Sequence, residues 1–451
     1  MQWKQMFHRV SLLAVLALIL AACGVDTQPQ SGGQGTTGGG QGATGGQGAT
    51  GGQPSGDAVT IRWRTRPSDA AEQKVYEELN ATVNQALASK NIKVVYDPGV
   101  NQSYEEKLKT ELAAGNAPDI IWIPGASVAD YASAGQLLDI KQFVDKDSSF
   151  KLDEFYPQPI AELTNQGKLY GLPRDISTMV VYYNADLFQA AGLPTPKELA
   201  EQGKWNWDTL LESAQKLTDS SKQQYGLGFG NWWGPAWGYF TNAAGGGMFN
   251  KERTGCGLST PESIAGAQFV ADLYKNKLVP AGDADGEALF NAGKVGMYFN
   301  GRWFTPGVRT NAKFNWDVAE MPQGKVKSTW LFWGPYVVNA KTNNPDAAWE
   351  VLKQLTSPDA MGKVAQMGTN IPARKNQSAV DAFLQSNPPA NNQAFIKGTD
   401  YAVAEQALWT GNWADFSGTS QKLWDQLIAG QITAQEFGAQ ACEQTSGAFK
   451  K

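Results

Sequence analysis

Residues 59–123 read VTIRWRTRPSDAAEQKVYEELNATVNQALASKNIKVVYDPGVNQSYEEKLKTELAAGNAPDIIWI, and their hydrophobic patterning decides the fold class. Val59 to Trp63 forms a short β run. Ser68 or Asp69 can cap the helix that follows, in which Val75, Leu79, Val83 and Leu87 recur every fourth residue. Ile92 to Tyr96 gives a second strand and Tyr104 to Ala114 a second helix, broken by Gly115-Asn116-Ala117-Pro118. Asp119 to Ile123 is a third, almost wholly apolar strand. This β-α-β-α-β order predicts right-handed crossovers and a mainly parallel sheet covered by helices. Ligand crevices of such sheets lie at the carboxyl ends of the strands. Here those ends are Arg64-Thr65-Arg66, Asp97 to Asn101 and Pro124 to Ser127.

Upstream, Lys4 and Arg9 precede an apolar run, Leu12 to Leu20. At about nine residues it suits a secretory leader and is too short to span a bilayer. Leu20-Ala21-Ala22-Cys23 then looks like a bacterial lipobox, in which Cys23 is diacylated and becomes the mature first residue. The plain alternative is an ordinary leader, 1–22, with an incidental cysteine. Residues 23–56 repeat Gly-Gly-Gln-Gly-(Thr/Ala)-Thr and lack the apolar side chains a core needs, so a flexible tether is expected. About thirty such residues reach roughly 30 Å. The expected location is the extracytoplasmic face of the cell membrane, held by the lipid.

From Asp57 onward the chain exceeds one ordinary domain and predicts two lobes. Loss of Lys4 and Arg9 with the leader takes the formal net charge from −5 to −7. No basic cluster offsets that charge, so nucleic acid is not an expected partner. Beyond Cys23 only Cys256 and Cys442 remain, an even pair that favours a disulfide over two buried thiols outside the cell. The sole histidine, His8, lies in the leader. Histidine-dependent nucleophilic triads and His-ligated zinc sites are therefore excluded from the mature chain. Glycoside hydrolysis by paired carboxylates is not.

Seven stretches in register carry a family resemblance: YEEKLKTELAAGNAPDIIWI, ASAGQLLDI, GKLYGLPRDISTMVVYYNADLFQAAGLP, WNWDTLLESAQKLT, AGGGMFN, LFNAGKVGMYFNGRW and NPDAAWEVLKQLTSPDAMGKVA. Together they resemble the carbohydrate class of extracellular solute-binding proteins of bacterial ABC importers, with maltose-binding protein as the best-known relative. The resemblance implies an α/β, two-lobe periplasmic-binding-protein fold with three interlobe crossings and a ligand cleft between the lobes. The crossings would fall at Asp175 to Tyr183, Gly334-Pro335-Tyr336 and Asn370-Ile371-Pro372. The N-lobe would be 57–176 with 336–371, and the C-lobe 181–333 with 374–451. The implied function is capture of a mono- or oligosaccharide by hinge closure and its delivery to permease subunits. A monomer with no cofactor, no metal and no catalytic residue is implied.

Sixteen tryptophans are the candidate ligand platforms. Pyranose faces stack on indoles while hydroxyl groups need fixed polar partners. The family's cleft indoles come from the loop matching Asn300-Gly301-Arg302-Trp303 and from a late segment near Trp409 and Trp413. Trp303 is thus the leading platform, with Trp233, Trp237, Trp333 and Trp413 as further candidates. Trp349, sharing a helix with Val351 and Leu352, is expected in the core, as are Trp205 and Trp207 beside a helix start. Polar candidates are Arg64 and Arg66 after the first strand, and Ser127 beyond Trp122 after the third. Asp175 and Ser177 are added at the first crossing, and Arg302. Asp175 can accept sugar hydroxyls or simply pair with Arg174, and Arg302 can simply form a surface ion pair. Asp283, Asp285 and Glu287 lack an EF-hand's spacing and suit a helix N-terminus capped by Asp285. Two other classes compete: a cell-surface glycosidase, for which no two acids stand out as a pair, and an adhesive lipoprotein. A binding protein for a non-sugar solute is the nearest alternative.

Overall fold

The computed structural model describes residues 58–449 except 68, 69, 101 and 369. The leader, Cys23, the tether and the cap at Ser68 or Asp69 lie outside the described residues. Strands β1 (Val59–Arg64), β2 (Ile92–Tyr96) and β3 (Ile120–Trp122) form as the patterning predicts, with β1 parallel to both others. The intervening helix Ala70–Leu87 buries Val75, Leu79, Val83 and Leu87 to 3% exposure or less, which is why every fourth position is apolar. The helix Tyr104–Ala114 ends at Gly115, whose φ of 77° is left-handed. Asn84 reaches from the first helix to β2, accepting from the Val94 amide and donating to the Val94 carbonyl, both at 2.8 Å.

A short hairpin, β4 (Thr164–Asn165) and β5 (Lys168–Leu169), leads into β6 (Leu172–Thr178) and β7 (Val180–Asn184). Only Met179 separates β6 from β7, yet they belong to different sheets. With β8 (Tyr225–Phe229), β9 (Val295–Asn300) and β10 (Trp316–Ala319), β7 builds a four-stranded sheet of order β10-β7-β9-β8. The larger sheet is completed by β11 (Thr329–Val338), β12 (Ile371–Pro372) and β13 (Ala402–Ala404). Its order is β12-β6-β11-β3-β1-β2, with β13 beside the start of β11.

Two hydrophobic clusters form the interior, and strand alternation divides residues between them. Along β7, Val180 and Tyr182 enter the first cluster while Val181 and Tyr183 enter the second. Residues 377–398, which the resemblance puts with the C-lobe, turn Phe383 and Phe395 into the first cluster; the chain enters the second cluster at Leu408. Trp349 is 5% exposed among core residues, and Trp207 stacks on Phe269 at 4.4 Å. Cys256 and Cys442 are joined in a disulfide with Cα atoms 5.1 Å apart, tying the 249–256 turn to the helix Ala434–Gln444.

Candidate functional site

The aromatic surface grows from two loops at the carboxyl ends of β8 and β9. After β8, Gly230 to Gly234 holds Trp232 and Trp233; after β9, Gly301 precedes Trp303. Glycine is what lets these indoles fold back over their own loops. A Cβ on Gly234 would stand 2.3 Å from the Trp232 ring, and one on Gly301 2.1 Å from the Trp303 ring. Phe332 of β11 is the hub between the loops. Its ring lies 5.3 Å from Trp303, 5.4 Å from Trp232 and 5.7 Å from Trp233. Trp233 also meets Trp330 at 5.2 Å and Trp413 at 5.1 Å, both edge-on. Trp413 opens the helix Trp413–Ile428.

This surface is open only in places. Trp303 is half-buried and Trp232 is 37% exposed, whereas Trp413 retains 6%. Trp303 is one wall of a cavity of about 500 Å³, the others including Asp285, Glu287, Asn291, Phe304 and Asn311. Asp285 caps its helix by accepting from the Ala288 amide at 2.9 Å, and Glu287 accepts from Asn300 Nδ2 at 2.7 Å. The Asn291 Oδ1 atom is buried without a hydrogen-bond partner. The cavity therefore pairs an indole with several acceptors, a combination suited to a ligand with apolar faces and hydroxyl or amine donors.

On the larger sheet, the Arg66 guanidinium lies 4.8 Å from the Trp122 ring centre, and that of Arg174 lies 5.3 Å from it. The Trp122 Nε1 atom is buried with no partner. Burial lowers the Arg66 pKa.

The remaining candidates are held inside the protein by its own groups. Arg64 is clamped by Asp97 at 2.6 Å and by Glu111. Ser127 Oγ donates to Glu105 at 3.0 Å. Asp175 pairs with Arg174, and burial pushes its carboxyl up to about 6 against that pairing. Ser177 Oγ accepts from the Arg302 amide at 2.8 Å. Arg302 itself is fully buried rather than in a surface ion pair: it bonds Asn392 and lies 4.8 Å from the Phe383 ring centre and 5.2 Å from that of Phe395. Burial pushes its pKa down to about 9. Trp237 is fully buried and donates to Gln421 at 3.0 Å; Trp333 is 3% exposed and donates to the Glu405 carbonyl at 2.9 Å. The structure thus gathers Trp233, Trp303 and Trp413 on one surface and Arg66 with Trp122 on another. It adds Trp232, Phe332 and Asn291. The glycines beside Trp232 were the legible signal for that residue; Phe332, inside a long apolar strand, carried none.

Residues 70–362 match the profile of the bacterial extracellular solute-binding protein family. The chain belongs to that family. Its members are binding proteins, not enzymes. This solute-binding protein is 26% identical over 339 residues to the galactooligosaccharide-binding protein of Bacillus subtilis, covering 71% of this chain and 75% of the relative. It is 23% identical over 332 residues to a maltooligosaccharide ABC transporter solute-binding lipoprotein of Streptococcus pneumoniae, covering 68% and 74%. Its fold matches an ABC substrate-binding protein of Listeria monocytogenes solved with cycloalternan, at a TM-score of 0.80 and 22% identity over 88% of this chain and 100% of that one. Among the described residues, no helix is long and apolar enough to cross a membrane.

Proposed function

We propose that this solute-binding protein is the sugar receptor of an ABC importer. The observation that carries the reading is Trp303, a half-buried indole facing a cavity of about 500 Å³ whose other walls offer carboxylate and amide oxygens. A pyranose can stack on that indole and donate its hydroxyls to those acceptors. The names of the Bacillus and Streptococcus relatives support an oligosaccharide. Trp233 and Trp413 extend the aromatic surface, and Arg66 over Trp122 is the proposed contact from the other lobe.

The lobes are 57–176 with 336–371 and 181–333 with 374–451, and 377–398 packs Phe383 and Phe395 around Arg302 of the second lobe. Ligand bridging both lobes favours the closed form, which a permease then recognises. The leader 1–22 is removed, Cys23 is diacylated, and residues 23–56 tether a monomer outside the membrane; the pneumococcal relative's name supports a lipoprotein.

Thermal-shift and calorimetric titration with maltotriose and galactooligosaccharides tests the sugar. Saturable binding without release of reducing ends is expected. Turnover of the tightest binder, or no response to any sugar beside a clear response to a polyamine or anion, would reverse the reading. Metabolic labelling with radioactive palmitate, lost on Cys23→Ser, tests the anchor.

A further inference from the structure

Along one flank, two carboxylates on helices that follow β3 and precede β4 hold donors from residues 253 and 407–414. Asp130, in the helix Val128–Ser133 that follows β3, accepts from the backbone amides of Trp413 at 3.1 Å and Ala414 at 3.2 Å. Those amides open a sixteen-residue helix and have no acceptor within it. The helix dipole adds to the attraction for a carboxylate there. Glu162, in the helix Pro157–Leu163, takes both terminal nitrogens of Arg253 at 2.7 Å each and the Ala407 amide at 3.0 Å. Its backbone carbonyl accepts from Trp409 Nε1 at 3.0 Å. Paired, bidentate, charge-assisted bonds of this kind fix geometry as well as adding attraction. Arg253 stands near Cys256, whose disulfide carries that hold to the last helix.

We propose that Asp130 and Glu162 are positioning residues that couple closure of the two lobes to the seating of Trp413 against Trp233. The inference rests on the hinge-closure reading above. If the lobes part, the Trp413 and Ala414 amides lose their acceptor and the Arg253–Glu162 fork opens. If the lobes close, one N-lobe carboxylate fixes the start of the helix that carries a C-lobe indole. The contacts therefore weight the closed form without help from ligand, and apparent affinity scales with the closed fraction. A carboxylate of one lobe thereby helps shape the aromatic wall of the other.

The test uses the ligand-free mature chain, so a failed sugar panel cannot be confused with a failed latch. Small-angle X-ray scattering gives the radius of gyration, and hydrogen–deuterium exchange reports on residues 405–416. The double variant Asp130→Ala/Arg253→Met is expected to expand the molecule and to speed exchange in that segment roughly tenfold or more. Asp130→Asn, which keeps the side-chain shape and loses the charge, should fall between it and wild type, and decides the matter if the double variant does not fold. An unchanged radius and unchanged exchange in a folded variant overturn the proposal. So does a lowered melting temperature with wild-type radius, which is the signature of a purely structural role.

Discussion

Strand β11 is aromatic on both faces, and the two faces do different things. On one, Trp330 and Phe332 point into the second cluster and lead outward through Trp233 to the partly open indoles of Trp232 and Trp303. On the other, Trp333 lies against Gly125, donates to the Glu405 carbonyl and is 3% exposed. Residue type is the same on both sides. What separates the two faces is how much of each ring the protein's own groups cover. On the sealed face Glu405, beside Trp333, accepts the Ala126 amide at 2.9 Å.

The largest effect is expected on the sealed face. Trp333→Ala should cost about 3–5 kcal/mol of stability through the cavity it leaves, read by urea denaturation; a loss under 1 kcal/mol, roughly a surface-level effect, would erase the contrast. Glu405 comes next. Burial pushes its carboxyl from 4.5 up to about 7, so between those values the folded protein holds a proton that the unfolded chain has released. Stability from this group is full below about 4.5 and is lost as pH rises through about 7. Glu405→Gln keeps an acceptor for Ala126 and should raise stability at pH 8 by about 2–3 kcal/mol while changing little at pH 4. Melting curves at the two pH values check the sign, and equal shifts at both would discard the burial argument.

On the open face, Trp303→Ala should weaken sugar binding by about 2 kcal/mol, near thirtyfold, with the unliganded melting point little changed. Titration calorimetry paired with melting separates this from a core effect, since intact affinity with a large stability loss would move Trp303 to the sealed class. Smallest of all, Trp232→Ala at 37% exposure should alter stability by no more than about 0.5 kcal/mol. Its effect on affinity, measured with the same sugar, should be weaker than that of Trp303→Ala.

The first α/β run was legible because burial there follows short-range periodicity. Four apolar residues on one helix face and three apolar strands specify their own layers, and the break at Gly115 needs only its neighbours. Trp349, Trp205 and Trp207 were placed in the core for the same local reason. Trp237 was not, because what seals it comes from far along the chain: Gln421, 184 residues away, accepts a hydrogen bond from its indole N–H. Arg302 was misjudged alike, since Asn392, 90 residues downstream, receives its guanidinium between Phe383 and Phe395. Asp175 had both readings open from sequence, and the adjacent Arg174 occupies it. Trp303 was singled out through the family resemblance of its loop, while its acceptor-rich surroundings depend on a helix packed beside it.

Asn84 has a bearing on how the protein meets copies of itself. Among the described residues β2 pairs only with β1, so its outer side would present bare amides and carbonyls to any passing strand. By bonding both polar groups of Val94, the Asn84 carboxamide behaves like one residue of an additional strand, supplied by a side chain and unable to propagate. At Val94 the rim of the sheet is already occupied, and an approaching strand finds no free amide or carbonyl there.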